Sequence, residues 1–310
     1  MDTYDLIVIG GGPGGAAAGI YAARKKLKTL SIAFKWGGQS AVSTDIQNWV
    51  GTKKISGTEL AISLKEHLTS YEGPDLKVMF GHKVQKIAQS NNQFTVEIDS
   101  GEQFNTKTVL IATGADRRRL TAPGAKEFDQ KGITYCASCD GPLFAGKDVV
   151  VIGGGNAAFE SAAQLLAYCK SVTLLNRSEK FRADKITIEK VKKDPKFKII
   201  TNAEVTEFKG GQFIESLTYK DTITGKAHEL KTGGVFVEIG LVPATYFAKD
   251  LLELNQNDQI IVDPRTQRTS ITGIWAAGDC TDGRYHQNNI AAGDAVKALE
   301  DLYSFLHLTK

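Results

Sequence analysis

Cysteine is scarce in this chain, with 4 among 310 residues. Two of them form a Cys-x-x-Cys pair, Cys136 and Cys139, and the other two stand alone. That is not the framework of a small secreted domain stapled by disulfides, so a reducing, cytoplasmic setting is expected. Net charge is also low, at +3. No strongly basic surface is therefore available for a nucleic acid or an anionic membrane, and neither partner is expected. Long apolar runs are missing too. The most apolar early stretch, residues 6–23, is broken by six glycines and a proline. Acids, Asp2 and Asp5, precede it, so neither a membrane span nor a signal peptide is expected. The five histidines are scattered without His-x-x-x-His-type spacing. A zinc site needs four ligands, and one cysteine pair cannot supply them, so no metal is expected.

What remains is an ordinary globular composition, 42% hydrophobic and 24% charged, at a length that suggests two domains. Glycine is abundant and clustered, which marks tight turns and close backbone approach to ligands. Asp5–Ile9 reads as a short, buried, parallel strand. It runs into Gly10-Gly11-Gly12-Pro13-Gly14-Gly15, and residues 16–25 then have helical composition. Strand, Gly-x-Gly-x-x-Gly turn and helix together are the context of the dinucleotide fingerprint. The glycines admit a pyrophosphate to the backbone, and the helix N-terminus offers free N–H groups. The next strand, Thr29–Ala33, is followed by Phe34-Lys35-Trp36, where an acid for the ribose would be expected. A helix is predicted over Thr58–Tyr71 with Thr58 as its cap. Short strands are predicted at Lys77–Phe80, Val84–Ala88, Phe94–Ile98 and Thr108–Ala112, with a turn at Asn91-Asn92. Arg117-Arg118-Arg119 and Pro123-Gly124 suit a domain crossing, the arginines reading as a solvated patch.

The fingerprint then recurs. Asp148–Ile152 repeats the strand, Gly153-Gly154-Gly155-Asn156-Ala157-Ala158 repeats the turn, and Phe159–Tyr168 continues as helix. Two copies imply two bound dinucleotides or a duplicated fold. The following strand, Ser171–Leu175, ends at Asn176-Arg177-Ser178-Glu179. An arginine at such a tip suits the 2′-phosphate of NADPH through its planar fork, and Arg182 lies close by; Glu179 leaves NADH open. Residues 197–240 read as short strands, ending in a strand at Gly233–Gly240 and a second candidate crossing. Ile274–Asp279 is a buried strand ending on an acid, and a helical pattern from Gln287 to His307 closes the chain.

Between the two turns lies Cys136-Ala137-Ser138-Cys139-Asp140. With zinc set aside, the pair reads as a redox dithiol, and Asp140 as a proton donor or acceptor beside it. Cys169 and Cys280 suit plain burial.

Taken in order, these motifs carry a family resemblance. Gly10–Gly15, Gly37-Gly38-Gln39, Ala112-Thr113-Gly114, Cys136–Asp140, Gly153–Ala158, Arg177 with Arg182, and Ala277-Gly278-Asp279 through Tyr285-His286-Gln287 resemble the low-molecular-weight thioredoxin reductases. They are nearly as similar to the flavoprotein core of alkyl hydroperoxide reductase. Gly141-Pro142-Leu143-Phe144 and Ile239–Pro243 look more like the latter branch, whose members carry an extra N-terminal dithiol domain not contained in this sequence. The resemblance implies an α/β fold of two Rossmann-like three-layer dinucleotide-binding domains, the second inserted in the first. Residues 1–116 and 243–310 would bind FAD, and residues 117–242 would bind the nicotinamide nucleotide and carry the cysteine pair. It implies a homodimer whose inserted domain rotates, so that dithiol and nicotinamide take turns at the flavin. Gly10, Gly12, Pro13, Gly14, Gly15, Gln39, Asn48, Val84, Thr113, Gly114, Gly278, Asp279, His286 and Gln287 would face FAD. Gly153, Gly155, Asn156, Ala158, Glu160, Arg177 and Arg182 would face the nicotinamide nucleotide.

The implied chemistry runs from NADPH to FAD to the Cys136–Cys139 disulfide, and then to thioredoxin or a similar dithiol protein. Cys139 would face the flavin, Cys136 would attack the partner and Asp140 would handle a proton. Three departures stand out: Lys35 in place of an acid, Asn176 and Ser178 in place of a histidine and a second arginine, and His286 in place of an arginine. They keep alternatives open: NADH as donor, a peroxiredoxin- or glutaredoxin-linked partner, or a flavin-bound sensor or ferredoxin-linked flavoprotein.

Overall fold

The computed structural model of the chain describes residues 3–43, 46–90 and 93–308, with the side chains of Val42, Ser138, Cys139 and Leu308 outside that description. The turn expected at Asn91-Asn92 lies outside the described residues. The chain divides into two compact units, Met1–Asp116 with Val242–Lys310, and Arg117–Leu241.

In unit 1 the strands Leu76–Phe80, Thr29–Ala33, Thr3–Ile9 and Gln103–Ile111 lie side by side and parallel. Ile274–Ala276 adds to the last of them, also parallel, and the antiparallel strands Gln93–Ile98 and Val84–Ser90 extend the sheet. Alternation along Leu6-Ile7-Val8-Ile9 explains the layering, because successive side chains point to opposite faces. Leu6 and Val8 pack with Ala18 and Ala22 of the helix Pro13–Arg24 and with Ala295, Leu299 and Leu302 of the helix Asn288–Leu308. Ile7 and Ile9 pack on the other side with Phe94, Val96 and residues of the 247–260 segment. Both faces are covered, which is why these strands are apolar throughout.

The helix predicted from Thr58 to Tyr71 instead spans Gly57–Thr69. Its cap is Ser56, whose hydroxyl accepts from the Glu59 N–H while the Glu59 carboxylate accepts from the Ser56 N–H. This reciprocal box satisfies two donors that a helix start leaves unpaired, worth about 1 kcal/mol, and Thr58 has no comparable role.

In unit 2 five parallel strands run in the order Phe197–Ile200, Ser171–Leu175, Asp148–Ile152, Gly234–Val237 and Ile133–Thr134. Helices Asn156–Leu165 and Lys185–Lys192 cover one face through Phe159, Ala162, Leu165 and Val191. An antiparallel meander, Ala203–Gly210, Ile214–Asp221 and Ala227–Lys231, covers the other through Phe208, Ile214 and Leu217. The strands expected across residues 197–240 therefore have two different roles. The first and last complete the parallel sheet, and the middle three form its second covering layer. In the arginine run Arg118 and Arg119 are exposed and Arg117 is half-buried, and Arg119 also pairs with Asp129 at 2.5 Å and lies over the Tyr135 ring. Among the described residues no helix is long and apolar enough to cross a membrane.

Candidate functional site

Each unit presents a glycine turn at the C-terminal end of a central parallel strand, Thr3–Ile9 in unit 1 and Asp148–Ile152 in unit 2. In unit 1 Gly10 has φ +138°, and a Cβ there would come within 2.1 Å of the Ala112 carbonyl oxygen. In unit 2 Gly153 has φ +149°, and a Cβ would come within 2.2 Å of the Glu238 carbonyl oxygen. Only glycine tolerates that combination of left-side φ and backbone contact. The third glycine of each turn precedes the helix. Gly12 and Gly155 have extended φ/ψ, and no side chain caps either helix start. The space over them is open: nothing lies nearer than 3.8 Å to a Cβ on Gly12, and nothing within 4 Å of one on Gly155. Uncapped N–H groups, a positive dipole end and an unobstructed backbone fit a pyrophosphate at each turn.

Around the unit 1 turn the chain closes a ring. Gly37 N–H donates to the Gly11 carbonyl at 2.8 Å, which brings Gly37-Gly38-Gln39 over the turn. Gln39 Nε2 donates to the Ala115 carbonyl. Asn48 Nδ2 donates to Gln287 Oε1 at 3.0 Å, and Ser40 Oγ to Asn288 Oδ1 at 2.7 Å. Gly14 and Gly278 both approach Ala291, in the first turns of the Asn288–Leu308 helix. Thr113 Oγ1 donates to the Ala244 carbonyl at 2.8 Å, and Gly114 follows at φ +68° with open space beside it. The structure thus gathers Gly10, Gly12, Pro13, Gly14, Gly15, Gln39, Asn48, Thr113, Gly114, Gly278 and Gln287 around one helix end. Asp279 Oδ1 lies 3.4 Å from His286 Nδ1, and this carboxylate raises the imidazole pKa above its ordinary value against the opposing effect of burial. The Val84 side chain is buried in the core, and its carbonyl accepts from the Tyr246 hydroxyl at 3.0 Å. Sequence reading missed Ser40, whose hydroxyl donates to Asn288 Oδ1 and which carries no motif signal of its own.

In unit 2 the loop after Ser171–Leu175 is fastened to the glycine turn. Arg182 N–H donates to the Gly154 carbonyl at 2.7 Å. Asn156 Oδ1 accepts from the Asp184 N–H at 2.8 Å, and Asn156 Nδ2 donates back to Asp184 Oδ2 at 3.2 Å. Asn176 is buried, and its amide donates to the carbonyls of Ser178 and Lys180 at 2.7 and 3.0 Å. Its role is to shape the loop, a staple rather than a ligand group. The Arg177 and Arg182 side chains are exposed and, among the described residues, unpaired. Glu160 is exposed on the helix, and Ala158 is buried beneath Gly153.

Cys136 is half-buried, disulfide-bonded, and precedes the short helix Ala137–Asp140. The Asp140 carboxyl is buried and accepts from the Thr134 hydroxyl. Cys169 and Cys280 are buried free thiols, and burial raises the pKa of both, which makes them poor nucleophiles. Thr134 was not foreseen, and its position six residues before Asp140 carries no motif signal.

A family described as pyridine nucleotide-disulphide oxidoreductase matches residues 4–295. The chain belongs to this family. Membership of the pyridine nucleotide-disulphide oxidoreductases implies FAD and a nicotinamide nucleotide, and the two open glycine turns fit that pair. The NADH dehydrogenase of Bacillus subtilis (strain 168) is 39% identical over 305 residues, 98% of this chain and 59% of that protein. An alkyl hydroperoxide reductase subunit of Escherichia coli (strain K12) is 38% identical over 310 residues, 100% of this chain and 59% of that protein. The chain therefore spans about 59% of the length of these curated relatives. Among solved structures, the thioredoxin reductase from Giardia duodenalis is 34% identical with a TM-score of 0.85, over 99% of each chain.

Proposed function

We propose that the chain is an FAD-dependent disulfide reductase that passes electrons from NADPH, through FAD and the Cys136–Cys139 pair, to thioredoxin or a related small dithiol protein. One observation carries the reading: a Cys-x-x-Cys cysteine, already in a disulfide, shares a chain with two open glycine turns of dinucleotide type. When bound, FAD supplies the two-electron carrier between nicotinamide and sulfur. The protein's residues would do the rest. The unit 1 ring holds the flavin nucleotide by its pyrophosphate, with Asp279, His286 and Gln287 among its polar contacts. Arg177 and Arg182, exposed and unpaired, receive the 2′-phosphate of NADPH. The disulfide takes two electrons and two protons to become two thiols. The nicotinamide yields two electrons and one proton, so the second proton comes from solvent, and its delivery is assigned to Asp140, next to Cys139 in the sequence. Reoxidation is thiol–disulfide exchange: the Cys136 thiolate attacks a partner sulfur, and Cys139 resolves the mixed disulfide. The acting form is a homodimer, to be checked by light scattering.

A second reading keeps the chemistry and changes donor and acceptor. Relatives at 39% and 38% identity bear the names NADH dehydrogenase and alkyl hydroperoxide reductase. Asn176 is also committed to its loop, so it adds nothing to a phosphate site. NADH as donor and a peroxide-linked dithiol protein as acceptor follow from this reading. The test is kcat/KM for NADPH and NADH with a panel of oxidised thioredoxins and peroxide-linked dithiol proteins, repeated with Arg177→Ala. The first reading expects roughly a tenfold loss or more, confined to NADPH. Equal loss with both donors removes the phosphate contact, and turnover with no dithiol protein removes the function.

A further inference from the structure

Unit 2 reverses its strand order beside Asp148–Ile152, with Ser171–Leu175 on one side and Gly234–Val237 on the other. Open α/β sheets hold ligands in the crevice at such a reversal, beyond the strand C-termini. Glu238 is the first residue past Gly234–Val237, so it stands at that crevice. Its N–H donates to the Ile152 carbonyl at 2.8 Å, and its own carbonyl is the atom that crowds Gly153. The Glu238 backbone is thus one wall of the nucleotide turn. Its carboxyl is half-buried and accepts from Ser161 Oγ at 2.8 Å. The charged groups facing it are Glu160, from the Asn156–Leu165 helix, and Arg117, from the segment that enters the unit. No cation among the described residues forms an ion pair with it. Burial pushes this carboxyl up to about 7, with Glu160 adding to the rise and Ser161 and Arg117 opposing it.

A dinucleotide brings two phosphate charges to this helix start. An ionised carboxylate hydrogen-bonded to Ser161, in the helix that starts at this turn, repels them, and protonation removes the repulsion. We propose that unit 2 accepts its nicotinamide nucleotide with Glu238 in the neutral form, so that binding takes up a proton at this carboxyl. The inference rests on unit 2 being the nicotinamide-nucleotide fold. It makes Glu238 a group that ties nucleotide affinity to pH in the physiological range.

The test is calorimetric titration of the FAD-loaded full chain with NAD+ and NADP+ from about pH 6 to about pH 8.5, in buffers of differing ionisation enthalpy. NAD+ has no group of its own that titrates there, and the ratio of wild type to variant cancels the 2′-phosphate of NADP+. Wild type is expected to weaken about tenfold across the range with measurable proton uptake. Glu238→Gln should hold the low-pH affinity throughout and take up no proton, and Ser161→Ala should move the midpoint upward. Folding gives a second readout. A carboxyl whose pKa is raised on folding loses its stabilising effect as pH rises through the raised value, so Glu238→Gln should melt higher than wild type above pH 7 and converge with it below the ordinary carboxylate range. An unchanged pH slope in Glu238→Gln overturns this inference alone. Failure of both nucleotides to bind at any pH overturns the assignment of unit 2 on which it rests.

Discussion

The two glycine turns are nearly the same object in different surroundings. Gly10 and Gly153 share a left-side φ, at +138° and +149°, and each is pinned against a carbonyl oxygen. Around the first, amides and hydroxyls from Gln39, Ser40, Asn48, Gln287 and Asn288 interlock, and a 21-residue helix, Asn288–Leu308, starts beside it. Around the second, the neighbours are exposed arginines and one half-buried carboxyl. The turn makes a place for a pyrophosphate, and the neighbours decide what kind of ligand is kept. An enclosing polar ring suits a resident cofactor, while an open rim with exposed arginines suits a nucleotide that comes and goes.

Crossing the two turns breaks or sharpens that contrast most forcefully. Gly10→Ala should produce protein that no longer retains flavin, because the new methyl meets backbone and costs roughly 3 kcal/mol or more. Gly153→Ala, equally strained, should leave the flavin absorbance intact and abolish its reduction by nicotinamide nucleotides. If both variants lost flavin equally, the division of labour between the units would be wrong. A smaller effect is expected at the loop after Ser171–Leu175 in unit 2. Asn176→Ala removes a buried staple and should cost about 1–3 kcal/mol in urea unfolding, with a raised KM for the nucleotide and no change in flavin content. The smallest belongs to unit 1. His286 carries a pKa raised by Asp279, so its contribution to stability is present below about pH 6.5 and fades as pH rises through the raised value. His286→Gln should flatten the dependence of Tm on pH in that window without touching unit 2.

Much of the fold was legible because its signals are local. Asp148–Ile152 and Ser171–Leu175 are observed with the bounds read from sequence, each a short β-branched run with sharp flanks. The helices after the two turns begin earlier than composition suggests, at Pro13 and Asn156. Glycine and proline lower intrinsic helix propensity, but at a helix start fixed by the turn that penalty is overridden. The Ser56–Glu59 box was present in the sequence and outweighed Thr58 as a cap. The meander could not be told from the parallel strands across residues 197–240, since strand partners are set by tertiary packing rather than by alternation. The same limit hid the most informative polar contact of unit 2. Ser161 and Glu238 are 77 positions apart, and nothing in either local pattern marks them as neighbours. The rule that drew attention to Asp279, an acid closing a buried strand, applies equally to Glu238 and would have found it.

The account's central claim is that electrons entering as hydride are stored first on the flavin and then on the cysteine pair. Anaerobic titration of the FAD-loaded chain with NADPH or NADH, followed by absorbance, measures that capacity directly. Wild type should accept about four electrons, two for the flavin and two for the disulfide, and Cys136→Ser about two. Equal capacity in the two proteins, or a flavin band that neither nucleotide bleaches, would contradict the relay.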